Sequence, residues 1–394
     1  MLKSHFLIKS QSTNCCSNSN MKKTKQFHIE LLGIGLPNRG AELLARATIH
    51  KIRTSFPEAK FCTRMSVSKE ELKHLGIQTF LPKKRRLRKA ITALIRGEKF
   101  ARESQVRFIL DLSGFAYGDF WGSRKAHQRL GKNWKQWNST KKPLFILPQA
   151  FGPFTDSGFL EDLKPALEYA TSVYPRDQES ANYLKSQLSI NTTTCPDITF
   201  AFDAHIEAKI ESTEYCILIP NSKMLDSQQT SRIDYVASFR NWIQQAKRTN
   251  IEPILLCHEG IKDLELCEEM ARESSCTVLA PSNALEIKGI LKNAAFVVTS
   301  RYHGLISSLI YSVPVIAYGW SHKYEEVMKE FELEHMLISN NSKLSHIQTF
   351  EQLLDPKSRT ETSDKISKHL PAVQQKVERM WDSIIMKISN NLRR

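Results

Sequence analysis

From residue 27 onward the chain alternates short apolar runs with longer amphipathic ones, and the alternation starts afresh once. In the first half, residues 27–32, 59–65, 108–112, 144–147 and 172–174 read as strands. Between them, residues 41–56 place Leu44, Ala45, Ile52 and Phe56 at helical spacing, and 159–170 and 179–188 also read as helices. Around residues 204–213 the sequence turns polar and charged. Strands then recur at 215–219, 253–257, 277–279, 296–299 and 313–318, separated or followed by helical segments at 231–247, 262–272, 284–292, a helix entered by the turn at Ser300, and 324–331. Strands joined by helical connections imply parallel sheets covered on both faces. The pattern predicts two Rossmann-like α/β domains, residues 27–206 and 213–394, facing each other across a cleft. A closing amphipathic helix at about 367–388 is expected to cross both, and residues 1–26, rich in Ser, Asn and Lys, are expected to form a disordered tail.

Composition adds limits. At 394 residues the chain exceeds what one core usually supports, and 41% hydrophobic with 25% charged residues is ordinary for a globular protein. No apolar run approaches the roughly 20 residues a membrane-spanning helix requires. The eight cysteines show neither metal-ligand spacing nor a disulfide framework, so no metal is expected and a cytoplasmic location is, with peripheral contact at the inner membrane face as an extension of it. The net charge of +15 points to anionic partners. Its densest source, Lys83, Lys84, Arg85, Arg86, Arg88 and Lys89, reads either as a solvated helix face or as a phosphate or membrane contact. Nucleic acid is disfavoured: no finger, helix-turn-helix or RNP motif is present, and aromatic residues do not interleave with the basic run.

Candidate chemistry gathers at strand ends. Ser300-Arg301-Tyr302-His303-Gly304 sits between two apolar runs, so Arg301 and His303 are expected at the carboxyl edge of a parallel sheet, where α/β proteins place ligands. The first strand runs into Gly33, Gly35, Asn38, Gly40 and Glu42, a glycine-bearing loop that opens a helix and offers backbone N–H groups to an anion. It has neither a dinucleotide fingerprint nor the lysine of a P-loop. Pro148-Gln149-Ala150-Phe151-Gly152-Pro153 reads as a rigid loop with Gln149 facing a ligand. Arg176-Asp177 follows another strand, with Asp177 as a helix cap, and Cys195-Pro196-Asp197 follows a further short one.

Five motifs in this order, Asn-x-Gly, Pro-Gln-x-x-Gly-Pro, Arg-Asp-x-x-Ser, Pro-Asp and Ser-Arg-x-His-Gly followed by Val-Pro-Val and a downstream lysine, resemble the polysaccharide pyruvyl transferase family over about residues 29–330. The resemblance implies a fold similar to that of GT-B glycosyltransferases, phosphoenolpyruvate as donor co-substrate without a further cofactor, and a sugar or lipid-linked saccharide as acceptor. Carried onto this chain, it implies His303 as the proton-transferring residue, and Arg301, Arg176, Lys323, Asn38 and Gly40 at the donor. Glu42, Gln149, Asp177 and Ser300 are implied as supporting or acceptor-binding residues. Arginine suits such a donor because its planar fork matches both carboxylate and phosphate. Two other readings stand beside this one: a nucleotide-sugar glycosyltransferase of the same fold, whose ribose ligand would be Glu325 or Glu326, and a basic nucleic-acid-binding or scaffold protein.

Overall fold

The computed structural model describes residues 26–35, 38–80, 100–212, 214–226, 230–272, 274–319, 321–338 and 345–394. The expected tail and the basic run at 83–89 lie outside the described residues, apart from residue 26. The chain builds two parallel sheets. The first contains β1 (His28–Leu32), β2 (Lys60–Thr63), β3 (Ile77–Phe80), β4 (Phe100–Ala101), β5 (Val106–Asp111), β6 (Phe115–Tyr117), β7 (Leu144–Phe151) and β8 (Ser172–Pro175), in the order β4-β3-β2-β1-β5-β7-β6 with β8 also against β7. The second contains β9 (Tyr215–Ile219), β10 (Glu252–Leu256), β11 (Thr277–Leu279), β12 (Phe296–Thr299), β13 (Val315–Tyr318) and β14 (Leu337–Ile338), ordered β11-β10-β9-β12-β13-β14.

The central strands β1, β9 and β12 are buried along their whole length, so both of their faces are covered; β9 and β12 are almost wholly apolar, while β1 buries His28 and Glu30, the latter paired with Arg64. In each sheet the strand order reverses beside the first strand, between β1 and β5 and between β9 and β12. Loops leaving neighbouring strands at such a reversal diverge to opposite faces and open a crevice at the carboxyl ends. The two crevices face each other across the seam.

Two features join the halves. The segment from Phe202 to Glu207, which leads into the polar boundary expected around residues 204–213, is fastened to the second half: Ile206 N–H donates to Leu285 O at 3.0 Å, Tyr311 Oη to Asp203 O at 2.7 Å, and Lys288 Nζ to Phe202 O. The final helix, Pro356–Arg393, is longer than expected at both ends, because Asp355 caps its start with Pro356 in the first turn. It begins on the second half, where Arg359 meets Glu214 at 2.6 Å. It ends on the first, where Lys387 Nζ donates to Ser172 Oγ at 2.6 Å and Lys51 pairs with Glu378. Val377, Met380, Trp381, Ile384 and Ile388 bury its inner stripe. None of the described helices is long and apolar enough to cross a membrane.

The expected loop at 148–153 is a correction. Pro148, Gln149, Ala150 and Phe151 continue β7, because the register against β8 shifts between Ile146 and Gln149, and a strand accepts a proline at such an irregularity. Gln149 pairs with Pro175 across the ladder and its side chain is buried.

Gly289 lies inside the Ala284–Lys292 helix, where alanine would ordinarily stabilise by about 1 kcal/mol. Here an added Cβ would overlap the carbonyl oxygen of Ile206 and stand 2.8 Å from its carbon. Gly289→Ala is expected to lower stability by about 1–3 kcal/mol. Thermal unfolding checks the sign, and an unchanged or raised Tm would show that the 202–207 segment yields freely.

Candidate active site at the seam between the two sheets

The exits of β1, β5, β9 and β12 converge on a cavity of about 350 Å³ lined from both halves. Gly33, at φ +85°, lets the exit of β1 lie against that of β5, since a Cβ there would stand 2.5 Å from the backbone of Ser113. Asn38 caps the Arg39–Ser55 helix, its Oδ1 accepting from Ala41 N–H at 2.8 Å, while its Nδ2 donates across the seam to Glu259 at 2.7 Å. Glu259 in turn accepts from Arg301 Nη1 at 2.8 Å, and buried Asp263 takes Nε of Arg301 at 2.9 Å as well as Nη2. Ser222 holds Asp263 from behind through its N–H at 3.0 Å and its hydroxyl at 2.9 Å.

The charges are unequal. Lys125, Arg129, Arg176, Lys223, Arg301 and Lys323 line the cavity, and Glu259 is the one carboxylate in its wall among the described residues. Arg176 is buried, donates to Asp197 at 3.1 Å and lies with its guanidinium carbon 4.2 Å from the ring centre of Tyr302. Burial, and then the like charges of Arg176 and Arg301, push Lys323 down to about 7 against the pull of Asp177 and Asp197. His303 Nε2 lies 3.7 Å from Asp197, too far for a hydrogen bond. Burial outweighs that carboxylate, and Arg176 and Lys323 add to it, so His303 is held down at about 4 and is neutral at pH 7. Burial alone would raise Asp197, but His303 and Arg176 hold its carboxyl below the usual range. His258 is depressed by burial and by Arg301 and His303.

Several buried polar atoms here have no partner among the described residues: Arg176 Nε, Tyr302 Oη, His303 Nε2 and both ring nitrogens of His258. Left so, each costs on the order of 1–3 kcal/mol, and a polar ligand that met them would recover that cost. Among the described residues no group of three or more His, Cys, Asp and Glu side chains is placed to hold a metal ion.

Six residues expected from the sequence, Asn38, Gly40, Arg176, Arg301, His303 and Lys323, surround one cavity. Four others do not. Gln149 is buried within β7, and both polar atoms of its amide lack a partner among the described residues. Ser300 is buried beneath the loop, its hydroxyl accepting from Tyr235 at 2.7 Å and its carbonyl from Tyr324 at 2.8 Å and Asn221 at 2.9 Å. Asp177 caps the Gln178–Leu188 helix through Ser180 N–H at 2.7 Å. Glu42 pairs with Arg39 and Arg46 and accepts from Ala284 N–H at 3.2 Å, so it fastens the halves rather than facing the cavity. Sequence reasoning passed over Glu259, Asp263, Lys125, Arg129 and the aromatic side chains Phe115, Phe120 and Trp121. The signal for Glu259 was His258-Glu259-Gly260 directly after a strand; Lys125 and Arg129 had none.

A sequence model of the polysaccharide pyruvyl transferase family matches residues 38–322. No curated protein sequence matches. Among solved structures, a putative UDP-N-acetylglucosamine 2-epimerase from Listeria monocytogenes is similar over 93% of this chain and 98% of its own, with TM-score 0.57 and 11% identity. The UDP-GlcNAc 2-epimerase from Neisseria meningitidis is similar over 92% and 100%, with TM-score 0.56 and 11% identity. UGT2 of Phytolacca americana covers 93% and 100%, with TM-score 0.50 and 8% identity. At such identities the likeness establishes the fold, which is GT-B-like with two parallel sheets.

Gly40 carries the first prediction for this site. A Cβ there would overlap Nδ1 of His303 and stand 2.7 Å from its Cε1. Gly40→Ala should therefore leave the chain folded while displacing the imidazole towards solvent. Histidine resonances followed by NMR against pH are expected to show His303 titrating near 4 in the wild type and nearer its ordinary value of about 6.5 in the variant. Identical titration curves would show that Gly40 does not set the position of the ring.

Proposed function

The chain belongs to the polysaccharide pyruvyl transferase family, and from that premise we propose that it transfers the pyruvyl group of phosphoenolpyruvate to two hydroxyls of one sugar in a surface polysaccharide or its lipid-linked precursor. One observation carries the donor assignment: six cationic side chains against one carboxylate around a cavity of about 350 Å³. Phosphoenolpyruvate brings a phosphate and a carboxylate. Arg176 offers an Nε that has no partner among the described residues, and Lys323 is held at about 7 by burial and then by the like charges of Arg176 and Arg301. Three of Arg301's five guanidinium N–H groups are taken by Asp263 and Glu259, which leaves two for an anion.

His303 enters as the neutral imidazole. In this reading it takes the proton of the first sugar hydroxyl as that oxygen bonds to C2 of the enol, and the same proton is delivered to C3, which becomes the methyl group. Asp197, 3.7 Å from Nε2, stabilises the transient imidazolium. The C2–O bond to phosphate then breaks, the second hydroxyl attacks C2, and its proton leaves with inorganic phosphate. The products are a cyclic ketal and phosphate, with one hydroxyl proton on C3 and the other on phosphate.

The nucleotide-sugar reading has less support at this site. Glu326, one of its two candidate ribose ligands, accepts from Gln178 N–H at 3.3 Å and faces a neighbouring cavity instead.

Incubation with phosphoenolpyruvate and lipid-linked saccharides should release phosphate in step with a pyruvyl mass gain on the saccharide. Phosphate release without that gain, or transfer from a nucleotide sugar, would overturn the reading. His303→Gln is expected to lower kcat by roughly 10²- to 10⁴-fold with phosphoenolpyruvate affinity largely kept.

A pH dependence follows from Lys323. Its value in the free protein is about 7, and a bound anion raises it. Well below pH 7 the lysine is charged in both states, so it takes up no proton on binding. Above pH 7 it is neutral when free and charged when bound, and uptake grows towards one proton per site. Calorimetry in buffers of different ionisation enthalpy should show this rise and its disappearance in Lys323→Met. Uptake that is flat with pH, or unchanged in the variant, contradicts it.

A further inference from the structure

Beyond the donor cations the cavity continues along a second, chemically different wall. Lys323 Nζ lies 5.6 Å from the ring centre of Phe115. Phe115 stacks with Phe120 at 6.0 Å, Phe120 meets Trp121 edge to face at 4.9 Å, and Lys125 Nζ lies 3.3 Å over the Trp121 ring. Phe120 and Trp121 are 54% and 41% exposed. Large aromatic side chains seldom stay this open without something to cover them, and here they form part of a cavity wall rather than an isolated surface spot.

Lys125 is followed one turn later by Arg129, and the only hydrogen bond of the Arg129 guanidinium among the described residues is to Ser113 Oγ. No carboxylate lies within ion-pair distance of either cation among the described residues. Burial, and then Arg129, bring Lys125 down to about 8, as expected of two like charges sharing a recess without a counter-ion. Ser113 is itself fixed by buried Asp111, which accepts from Ser113 N–H at 3.0 Å and from Tyr117 Oη at 2.5 Å. The Arg129 end of the recess therefore rests on the exit of β5.

We infer that this wall is the acceptor subsite, binding a phosphorylated saccharide whose pyranose ring lies on Phe115, Phe120 and Trp121 and whose phosphate meets Lys125 and Arg129. The inference rests on the pyruvyl-transfer reading. A pyranose ring presents a flat set of C–H groups that complements the negative face of an aromatic ring. A phosphate supplies the charge that the two cations lack. The order along the wall also fits the chemistry. The ring surface begins beside Lys323, so hydroxyls of the stacked sugar would stand next to the donor, while the phosphate points away from it.

The test compares a free hexose with its 1-phosphate, using saturation-transfer NMR and calorimetry on the full chain, and measures phosphoenolpyruvate affinity on the same preparations. The 1-phosphate should bind about tenfold more tightly than the free sugar, the size of one charge-assisted hydrogen bond. Lys125→Gln should remove that advantage and leave free-sugar binding unchanged. Trp121→Ala should remove saturation transfer to the sugar ring protons. Both side chains lie at the cavity wall outside the core, and unchanged melting temperatures confirm that the variants are folded. Equal affinity for sugar and sugar phosphate, binding that neither substitution alters, or no binding of either sugar overturns the subsite. Loss of phosphoenolpyruvate binding with the sugar pattern intact would overturn the donor reading alone.

Discussion

The charge of Arg301 organises the seam. Three of its N–H groups are committed to Asp263 and Glu259, and Glu259 also accepts from Asn38, which caps a helix of the opposite half. One guanidinium thus ties the second sheet to the first at the point where the strand ends of both converge. Asp263 takes two of these N–H groups and is fully buried, so its removal would leave the guanidinium with Glu259 alone; breaking a buried pair of this kind costs on the order of 3–5 kcal/mol elsewhere. With Arg301 so occupied, Arg176, itself paired with Asp197, and Lys323 are the cations beside His303, whose ring lies against Gly40.

This arrangement explains why His258, His303 and Lys323 move towards neutrality while Asp197 stays charged. Burial disfavours any charge, and the neighbouring cations disfavour a further positive one, so both His303 and Lys323 are depressed. In the proposed reading, an incoming anion would restore the charge of Lys323, satisfy Arg176 Nε and strengthen the basicity of His303 together. Coupling of donor binding to protonation would then follow from the same side chains that hold the donor.

Much of this was legible in the sequence, and the failures have identifiable causes. Asn38, Arg176 and His303 each follow an apolar run beside Gly or Pro, and Arg301 lies two residues before His303, so strand ends could be placed and the residues assigned to sheet edges. The two parallel sheets followed from the alternation of short apolar and longer amphipathic runs. Gln149 was misplaced because a proline ordinarily ends a strand, and the register irregularity that admits Pro148 is a property of the pairing with β8. Glu259 and Asp263 were missed as partners of Arg301 because they lie 42 and 38 residues away and meet it only once the β10 and β12 exits are adjacent. Lys125 and Arg129 follow β6, a three-residue strand too short to show a period, on a brief helical excursion at the sheet edge.

The most direct measurement is a crystal structure of the protein with phosphoenolpyruvate. The donor's oxyanions are expected on Arg176 and Lys323, with the guanidinium of Arg301 still held by Asp263, and C3 of the enol within about 3.5 Å of the His303 ring. Phosphoenolpyruvate bound outside this cavity, or inside it with the enol turned away from His303, would contradict it.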